Sequence, residues 1–429
     1  MKIAVIGAGS TYTPELVSGL QSQRHRFAVD ELVLMDVNQG RLDVVGGLAK
    51  RIVAAQGLST TVRLTTSRSD AIDGADAVLI QLRVGGQQAR LGDETFPLEV
   101  DCIGQETTGA GGAAKALRTV PVVLDIADEV RRRAKPDAWI VDFTNPVGIV
   151  TRALLDAGHR AVGLCNFGIG VQRWAAELLT AEPSRVRVDP AGLNHFSWVR
   201  RILLDGVDVL PGMLDQQMAA ITGKYPFPAE LIRLLGAIPS GYLRYYYEHD
   251  RAVREAASNV PRATVVAELE TELLGLYRDE ELVDRPAQLS SRGGAFYSEA
   301  AVELLVSLHS TLPGYHVLNV RNNGLIAGLQ DDDVVETGCM VSIAGIVPVP
   351  QPPLDGLMLG PIQHVSAYER FIASAALTGS VDDVRRGLLA HPLIGQYSVL
   401  EELVPKLLAN SPQYLPRFAA AIAEMGIRP

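Results

Sequence analysis

The opening stretch MKIAVIGAGSTYTPEL constrains the fold more than any other part of the chain. Lys2–Ile6 is a short apolar run with β-branched residues, which suits a strand buried in a parallel sheet. Gly7-Ala8-Gly9-Ser10 follows at once. Pro14-Glu15-Leu16 then opens a helical pattern, with Thr13 as N-cap and Pro14 at the first helical position. Strand, glycine turn and helix N-terminus form a cradle for a pyrophosphate. The glycines let the backbone approach the phosphates, and the free N–H groups of the helix start favour an anion. The third position of the usual fingerprint is Tyr12, so the motif also fits a tight turn in any doubly wound sheet. Asp36 shifts the balance. It closes a second apolar run from Glu31, with Asn38 and Arg41 behind it, where an acid holds the adenosine ribose hydroxyls. An acid there disfavours a 2′-phosphate, which points to NAD rather than NADP.

A chain of 429 residues is long enough for two domains with real cores. With 47% hydrophobic and 21% charged residues, neither disorder nor a fibre is indicated. The formal net charge of −10 argues against nucleic acid as a partner, though not against an anionic substrate held in a local arginine pocket. Three cysteines, Cys102, Cys165 and Cys339, make no disulfide framework and point to a reducing, cytoplasmic setting. No signal peptide or membrane-spanning run is read in the sequence, so no membrane partner is expected.

Strands are predicted over 32–35, 60–66, 77–82, 138–142 and 161–164, alternating with helices over 39–56 and 113–133. This is the pattern of a Rossmann-type doubly wound parallel sheet over residues 1–189. Residues 190–429 read as an α+β domain, malate/lactate-dehydrogenase-like in arrangement. Strands are expected over 192–198 and 200–204, and one helix over 244–257. Arg83-Val84-Gly85-Gly86 lies at the carboxyl end of a strand, the edge where open α/β sheets bind ligands. The cleft between the two domains is the expected active site.

Cys165-Asn166 ends one strand, and Asn194-His195 falls in another. Cysteine, histidine and carboxamides converging near a nicotinamide are the chemistry of a weakly held divalent ion with open positions. Taken singly, a buried cysteine is a small hydrophobe and a buried histidine a satisfied core residue. Four tyrosines crowd Gly241–Tyr247. At helical spacing Tyr242, Tyr245 and Tyr246 share a face, which is core packing, unless a neighbouring cation lowers one phenol and makes it a base. Arg292, in the glycine-rich loop Ser291–Ser298, is either an anion grip or a solvated side chain, and Arg83 and Arg90 carry the same two readings. Asn319–Gly324 reads as a turn or as amides facing sugar hydroxyls.

In order, the segments GAGSTYTPEL, LMDVN, LRVGG, GQETTGAGG, FTNP, GLCN, GLNHFSW, GYLRYY and RGGAFYS resemble glycoside hydrolase family four, the NAD- and metal-dependent glycosidases. This family stands outside the two-carboxylate scheme of glycoside hydrolysis. The resemblance runs from Met1 to about Gly324 and implies a role for each matching residue. Gly7, Gly9, Ser10, Thr11, Asp36, Arg41 and Arg83 would bind the cofactor. Cys165 and His195 would hold a divalent metal, typically Mn2+, and Tyr242 would be the base. Arg83, Arg90, Asn145, Asn166 and Arg292 would contact the sugar or its 6-phosphate. Asparagine after the cysteine resembles the 6-phospho-β-glucosidase branch, so the expected substrate is a phosphorylated β-glucoside.

The implied reaction oxidises carbon 3 of the sugar, removes the carbon-2 proton, eliminates the aglycone, adds water at carbon 1 and returns the hydride. Relatives of this kind assemble as homodimers or homotetramers. Three departures, Phe167-Gly168-Ile169, Asp142 and Arg321, are expected near the sugar and bear on the phosphate requirement. The same mechanism on an unphosphorylated or α-linked glycoside, a 2-hydroxy-acid dehydrogenase, and a non-catalytic NAD or sugar sensor are the competing readings.

Overall fold

Short, mostly apolar runs of three to five residues become six parallel strands: β1 (Lys2–Ile6), β2 (Glu31–Met35), β3 (Thr61–Thr65), β4 (Ala77–Ile80), β5 (Trp139–Asp142) and β6 (Ala161–Gly163). The computed structural model describes residues 1–292 and 296–427. The parallel strands lie in the order β3-β2-β1-β4-β5-β6, so the sheet reverses direction of growth between β1 and β4. Alternate residues feed opposite faces. Ala4, Ile6, Val78 and Ile80 join one buried cluster, while Ile3, Val5, Ala77 and Leu79 join the other. Helices cover both faces, which is why these strands lack a polar side. This is the Rossmann-type arrangement that the alternation predicts, with its ligand crevice at the carboxyl ends of β1 and β4.

The antiparallel strands continue the same sheet. They are β7 (Val186–Leu193), β8 (Phe196–Leu204), β9 (Val207–Asp208), β10 (Ile238–Pro239), β11 (Gly314–Arg321), β12 (Val334–Ser342) and β13 (Gly345–Pro348). β11 joins the free edge of β6, and β12, β7, β8 and β10 follow outward. Residues 189 and 190 both lie within β7.

Local differences from the sequence patterns have physical causes. The first helix is Thr13–Ser22, so Thr13 is its first residue rather than its cap; Tyr12 O accepts from the Glu15 and Leu16 N–H groups. The long helix predicted from Ala113 begins at Gly109. Tertiary packing overrides glycine's poor helix propensity there: a Cβ on Gly111 would lie 2.3 Å from both Asp93 O and Gln105 O. The single helix expected over 244–257 is broken at Glu248 into Arg244–Tyr247 and His249–Ser258, after a 3-10 turn over Gly241–Leu243. Among the described residues, no helix is long and apolar enough to cross a membrane.

Asp142, the last residue of β5, is fully buried. Its Oδ1 accepts the Thr144 N–H at 3.2 Å, and its Oδ2 has no hydrogen-bond partner. Burial pushes the carboxyl up to about 8, opposed only by the bonds to Thr144. The folded protein therefore keeps this proton across a range in which the unfolded chain has lost it. Stability from Asp142 is full below the unfolded carboxyl pKa, near 4, and falls as pH rises to about 8. Asp142→Asn should remove that dependence. The Tm of the variant relative to the parent should rise between pH 4 and 8 and stay level above, measured by thermal unfolding across that range.

Candidate active site

The crevice between β1 and β4 opens into a cavity of about 1380 Å³. Gly7, Gly9, Ser10, Asp36, Arg41, Arg83, Asn145 and Arg292 line it, so eight of the sequence-predicted residues meet on one surface. Gly7 sits at φ +88°, and a Cβ there would lie 2.8 Å from Gln81 O, so only glycine fits where β1 turns past β4. A Cβ on Gly9 would lie 2.8 Å from the Asp36 carboxyl. The Gly9 N–H instead donates to Asp36 Oδ2 at 2.8 Å, and the Asn38 N–H donates to Oδ1 at 2.9 Å. Asp36 is thus fixed at the end of β2, facing the glycine turn. This is the corner that a dinucleotide's ribose requires, and the bare glycine backbone beside it leaves room for phosphates. Arg41 donates from Nε to Gly9 O at 3.1 Å. Thr11 stands behind this wall, fully buried, with its carbonyl accepting the Tyr277 hydroxyl at 2.8 Å.

A carboxylate absent from the sequence prediction organises the cavity floor. Glu106 pairs with Arg83, with Lys115 at 2.6 Å and with Arg90 at 3.2 Å. Burial opposes its charge, but Arg83, Lys115 and Arg90 hold Glu106 well below the usual carboxylate range. Burial, with Arg83 beside it, pulls the Lys115 ammonium down to about 7. Arg90 faces Glu94 at 2.7 Å as well as Glu106, and it is not among the cavity-lining residues.

The second group lies past β6. Cys165 Sγ is 3.8 Å from His195 Nε2, and both residues are buried. The sequence pattern puts His195 inside a strand. Instead, Asn194–His195 is the two-residue turn between β7 and β8, whose pairing closes with Leu193 opposite Phe196, and His195 takes φ +62°. Histidine is among the few non-glycine residues that adopt this conformation with some frequency. One row across the sheet aligns the pair: Gly163 of β6 faces Asn319 of β11, Asn319 faces Glu336 of β12, and Glu336 faces Gly192 of β7. Glu336 also accepts Asn194 Nδ2 at 3.1 Å and Ser197 Oγ at 2.7 Å, which anchors the turn from beneath.

Tyr242 stacks on the His195 ring, with centroids 3.9 Å apart and planes 13° from parallel. Tyr297 OH and Asn166 Oδ1 each lie 3.9 Å from Cys165 Sγ. Burial keeps His195 neutral, pulling its pKa down to about 3 with Lys115 contributing, and this is the form that ligates metal. Burial pushes the Cys165 thiol up to about 12 and raises the Tyr242 phenol, with no cation of the described residues among the main influences on it.

A zinc-like ion at about 2.3 Å from a sulfur and about 2.0–2.1 Å from a nitrogen sets those donors roughly 3.6 Å apart. The 3.8 Å gap fits such a shared ion. Among the described residues no group of three His, Cys, Asp or Glu could hold a metal, so Cys165 and His195 form an incomplete shell with open positions.

Other predicted features resolve differently. Arg321 pairs with Asp156 at 2.6 Å, and Asn322 bonds the Ile326 and Gln330 carbonyls; neither lines the cavity. The departure at Arg321 is therefore a peripheral ion pair rather than a change at the sugar site. Gly168 permits close packing, since a Cβ there would meet Val317 at 2.4 Å. Of the loop Ser291–Ser298, residues 293–295 lie outside the described residues, whereas Arg292 packs over the Tyr12 ring at 4.3 Å. Glu106, Lys115, Glu270 and Tyr297 were not singled out by the sequence. An acid in an otherwise uncharged glycine-rich stretch is the one signal that could have marked Glu106.

Residues 2–181 match the model for the family 4 glycosyl hydrolases, and residues 190–394 match the model for their C-terminal domain. A 6-phospho-β-glucosidase of Escherichia coli is 35% identical, over 99% of this chain and 98% of its own. The structure of the 6-phospho-β-glucosidase from Thermotoga maritima with manganese, NAD+ and glucose-6-phosphate superimposes with a TM-score of 0.90 at 33% identity, covering 96% of this chain and 99% of that one. Malate dehydrogenase from Plasmodium falciparum shares the fold at a TM-score of 0.52 and 13% identity, covering 90% of this chain and 100% of its own. With both halves matched and the relatives aligned nearly end to end, the chain belongs to the family 4 glycosyl hydrolases.

Proposed function

We propose that the protein is a 6-phospho-β-glucosidase that binds NAD along Gly7–Arg41 and a divalent ion, Mn2+, between Cys165 and His195. The observation that carries this reading is the facing pair Cys165–His195 with Tyr242 stacked against it, linked through Tyr297, 3.9 Å from the Cys165 sulfur, to the cavity that holds the Asp36 corner. When bound, the cofactor takes up and returns a hydride at sugar carbon 3, and the metal polarises the oxygens on carbons 2 and 3.

The chain's own residues do the rest. Tyr242 removes the carbon-2 proton through its phenol oxygen, and a cation held by His195 supplies the positive charge that the phenol otherwise lacks. Asn145 has a buried Oδ1 without a hydrogen-bond partner on the cavity wall, and with Asn166 it orients sugar hydroxyls. Arg83, Arg90 and Arg292 supply positive charge for the 6-phosphate, Arg83 and Arg292 from the cavity lining. A 2-hydroxy-acid dehydrogenase would need a carboxylate orienting its catalytic histidine. His195 Nδ1 is buried without a hydrogen-bond partner, which counts against that chemistry. We further assign two functional units, residues 1–189 for the dinucleotide and 190–429 for substrate, metal and assembly. The assembled form is a symmetric homodimer or homotetramer, in the cytoplasm where the Cys165 thiol stays reduced.

4-Nitrophenyl β-glucoside 6-phosphate should be cleaved only with NAD+, Mn2+ and a thiol reductant all present, and without accumulation of NADH. Cleavage of the unphosphorylated glucoside at an equal rate would remove the phosphate from the assignment. Steady accumulation of NADH would replace hydrolysis by a dehydrogenase reaction.

Tyr242→Phe should lower kcat by about 10²–10⁴-fold while NAD+ binding is retained. Cys165→Ser should need far more Mn2+ for half-maximal rate. Wild-type kinetics in both variants would refute the assignment of the base and the metal pair.

A further inference from the structure

We propose that Glu270 is a specificity-determining residue for the cofactor: by engaging the Arg41 guanidinium, it makes the ribose corner discriminate against NADP. This rests on the reading of Gly7–Arg41 as the dinucleotide track. An arginine beside the ribose corner is the chemistry by which such folds accept a 2′-phosphate. Arg41 meets that description. It lies in the first turn of helix Gln39–Ala55, bonded to Gly9 O, with Asp36 across the same turn. Left alone, its charge would offset Asp36 and offer its guanidinium fork to a phosphate.

The fork is already engaged. Glu270, in helix Arg262–Leu276 of the second half, takes Arg41 Nη2 on Oε2 at 3.3 Å. Its other oxygen, Oε1, accepts Arg292 Nη2 at 2.7 Å and Gln87 Nε2 at 3.2 Å. Three partners from three separate segments hold this carboxylate, whose side chain is only 10% exposed. A carboxylate fixed and desolvated in this way acts on its neighbours far more strongly than a surface ion pair does. Arg41, Gln87, Glu270 and Arg292 all line the cavity. Removing the Glu270 charge leaves the Arg41 guanidinium uncompensated beside the corner where a 2′-phosphate would sit. Burial opposes ionisation of Glu270, but Arg292 and Arg41 hold its pKa below the usual value, so the charge persists at working pH.

The test is direct binding of NAD+ and NADP+ to the full chain, without substrate, by titration calorimetry. The readout is the ratio Kd(NADP+)/Kd(NAD+). Glu270→Gln should lower the ratio about tenfold, the size of effect one partly buried charge exerts at such range. Adding Arg41→Gln to Glu270→Gln should restore most of the original ratio. Asp36→Asn should lower the ratio on its own and so calibrates the corner.

An unchanged ratio in Glu270→Gln, including equal weakening of both cofactors as a purely structural role would give, overturns the proposal if Asp36→Asn still shifts the ratio. An unchanged ratio in both variants overturns the reading of the dinucleotide track itself. Should Glu270→Gln fail to fold, Arg41→Leu removes the corner's cation while the Glu270 carboxylate, still held by Arg292 and Gln87, stays in place, and it should raise the ratio. No rise there counts equally against Glu270.

Discussion

The free edge of β6 is the constraint on which the rest of the site depends. A doubly wound sheet ordinarily ends with such an edge unpaired, exposing a row of backbone donors and acceptors. Here β11 takes it in the opposite sense, and the sheet grows on through β12, β7 and β8. Gly163 makes the junction possible: a Cβ there would lie 2.1 Å from Thr151 Oγ1 and 3.0 Å from Asn319 Cβ. Because the pairing passes through one row, Gly163, Asn319, Glu336 and Gly192, a thiol just beyond β6 and an imidazole at a hairpin tip acquire a fixed relation. Neither residue needs the other to fold locally. The sheet register sets their 3.8 Å separation.

Around that pair the positive charge is gathered by two carboxylates. Glu106 gathers Arg83, Arg90 and Lys115 on the floor, while Glu270 gathers Arg41, Arg292 and Gln87 nearer the ribose corner. Each carboxylate offsets cations that would otherwise repel one another in a desolvated cleft. The carboxylates temper these cations without cancelling them, and the cavity lining keeps more cationic than anionic side chains. Those side chains are held in place rather than free in solvent, which suits recognition of an anionic ligand by preorganised donors.

What the sequence revealed follows from what is local. The β1–glycine–helix cradle, the acid ending β2 and the parallel strands are legible because each is written in consecutive residues whose apolar runs suit strands buried on both faces. The turn at Asn194–His195 was hidden by apolar and aromatic neighbours on either side that continue a strand pattern. The helical run Gly109–Gly112 read as loop because propensity argues against it, and only the close approach of Asp93 and Gln105 explains it. The meeting of Cys165 with His195 carries no spacing signature, since two residues without a CxxC-type motif are invisible to pattern. Family resemblance put them together, and the sheet register gives the physical reason. Glu270 and Tyr297 stayed unseen because their significance lies wholly in partners far away along the chain.

The row across the sheet also sets an order of assembly. Cys165 and His195 emerge early as the chain is synthesised, but the strands that seat them, β11 and β12, span Gly314–Arg321 and Val334–Ser342. Until residue 342 has left the ribosome, the hairpin that carries His195 lacks its neighbouring strand, β12. A nascent or prematurely ended chain would thus carry the Cys165 thiol and the His195 imidazole without the register that aligns them. The row that aligns Cys165 with His195 is completed by strands that come late in the chain.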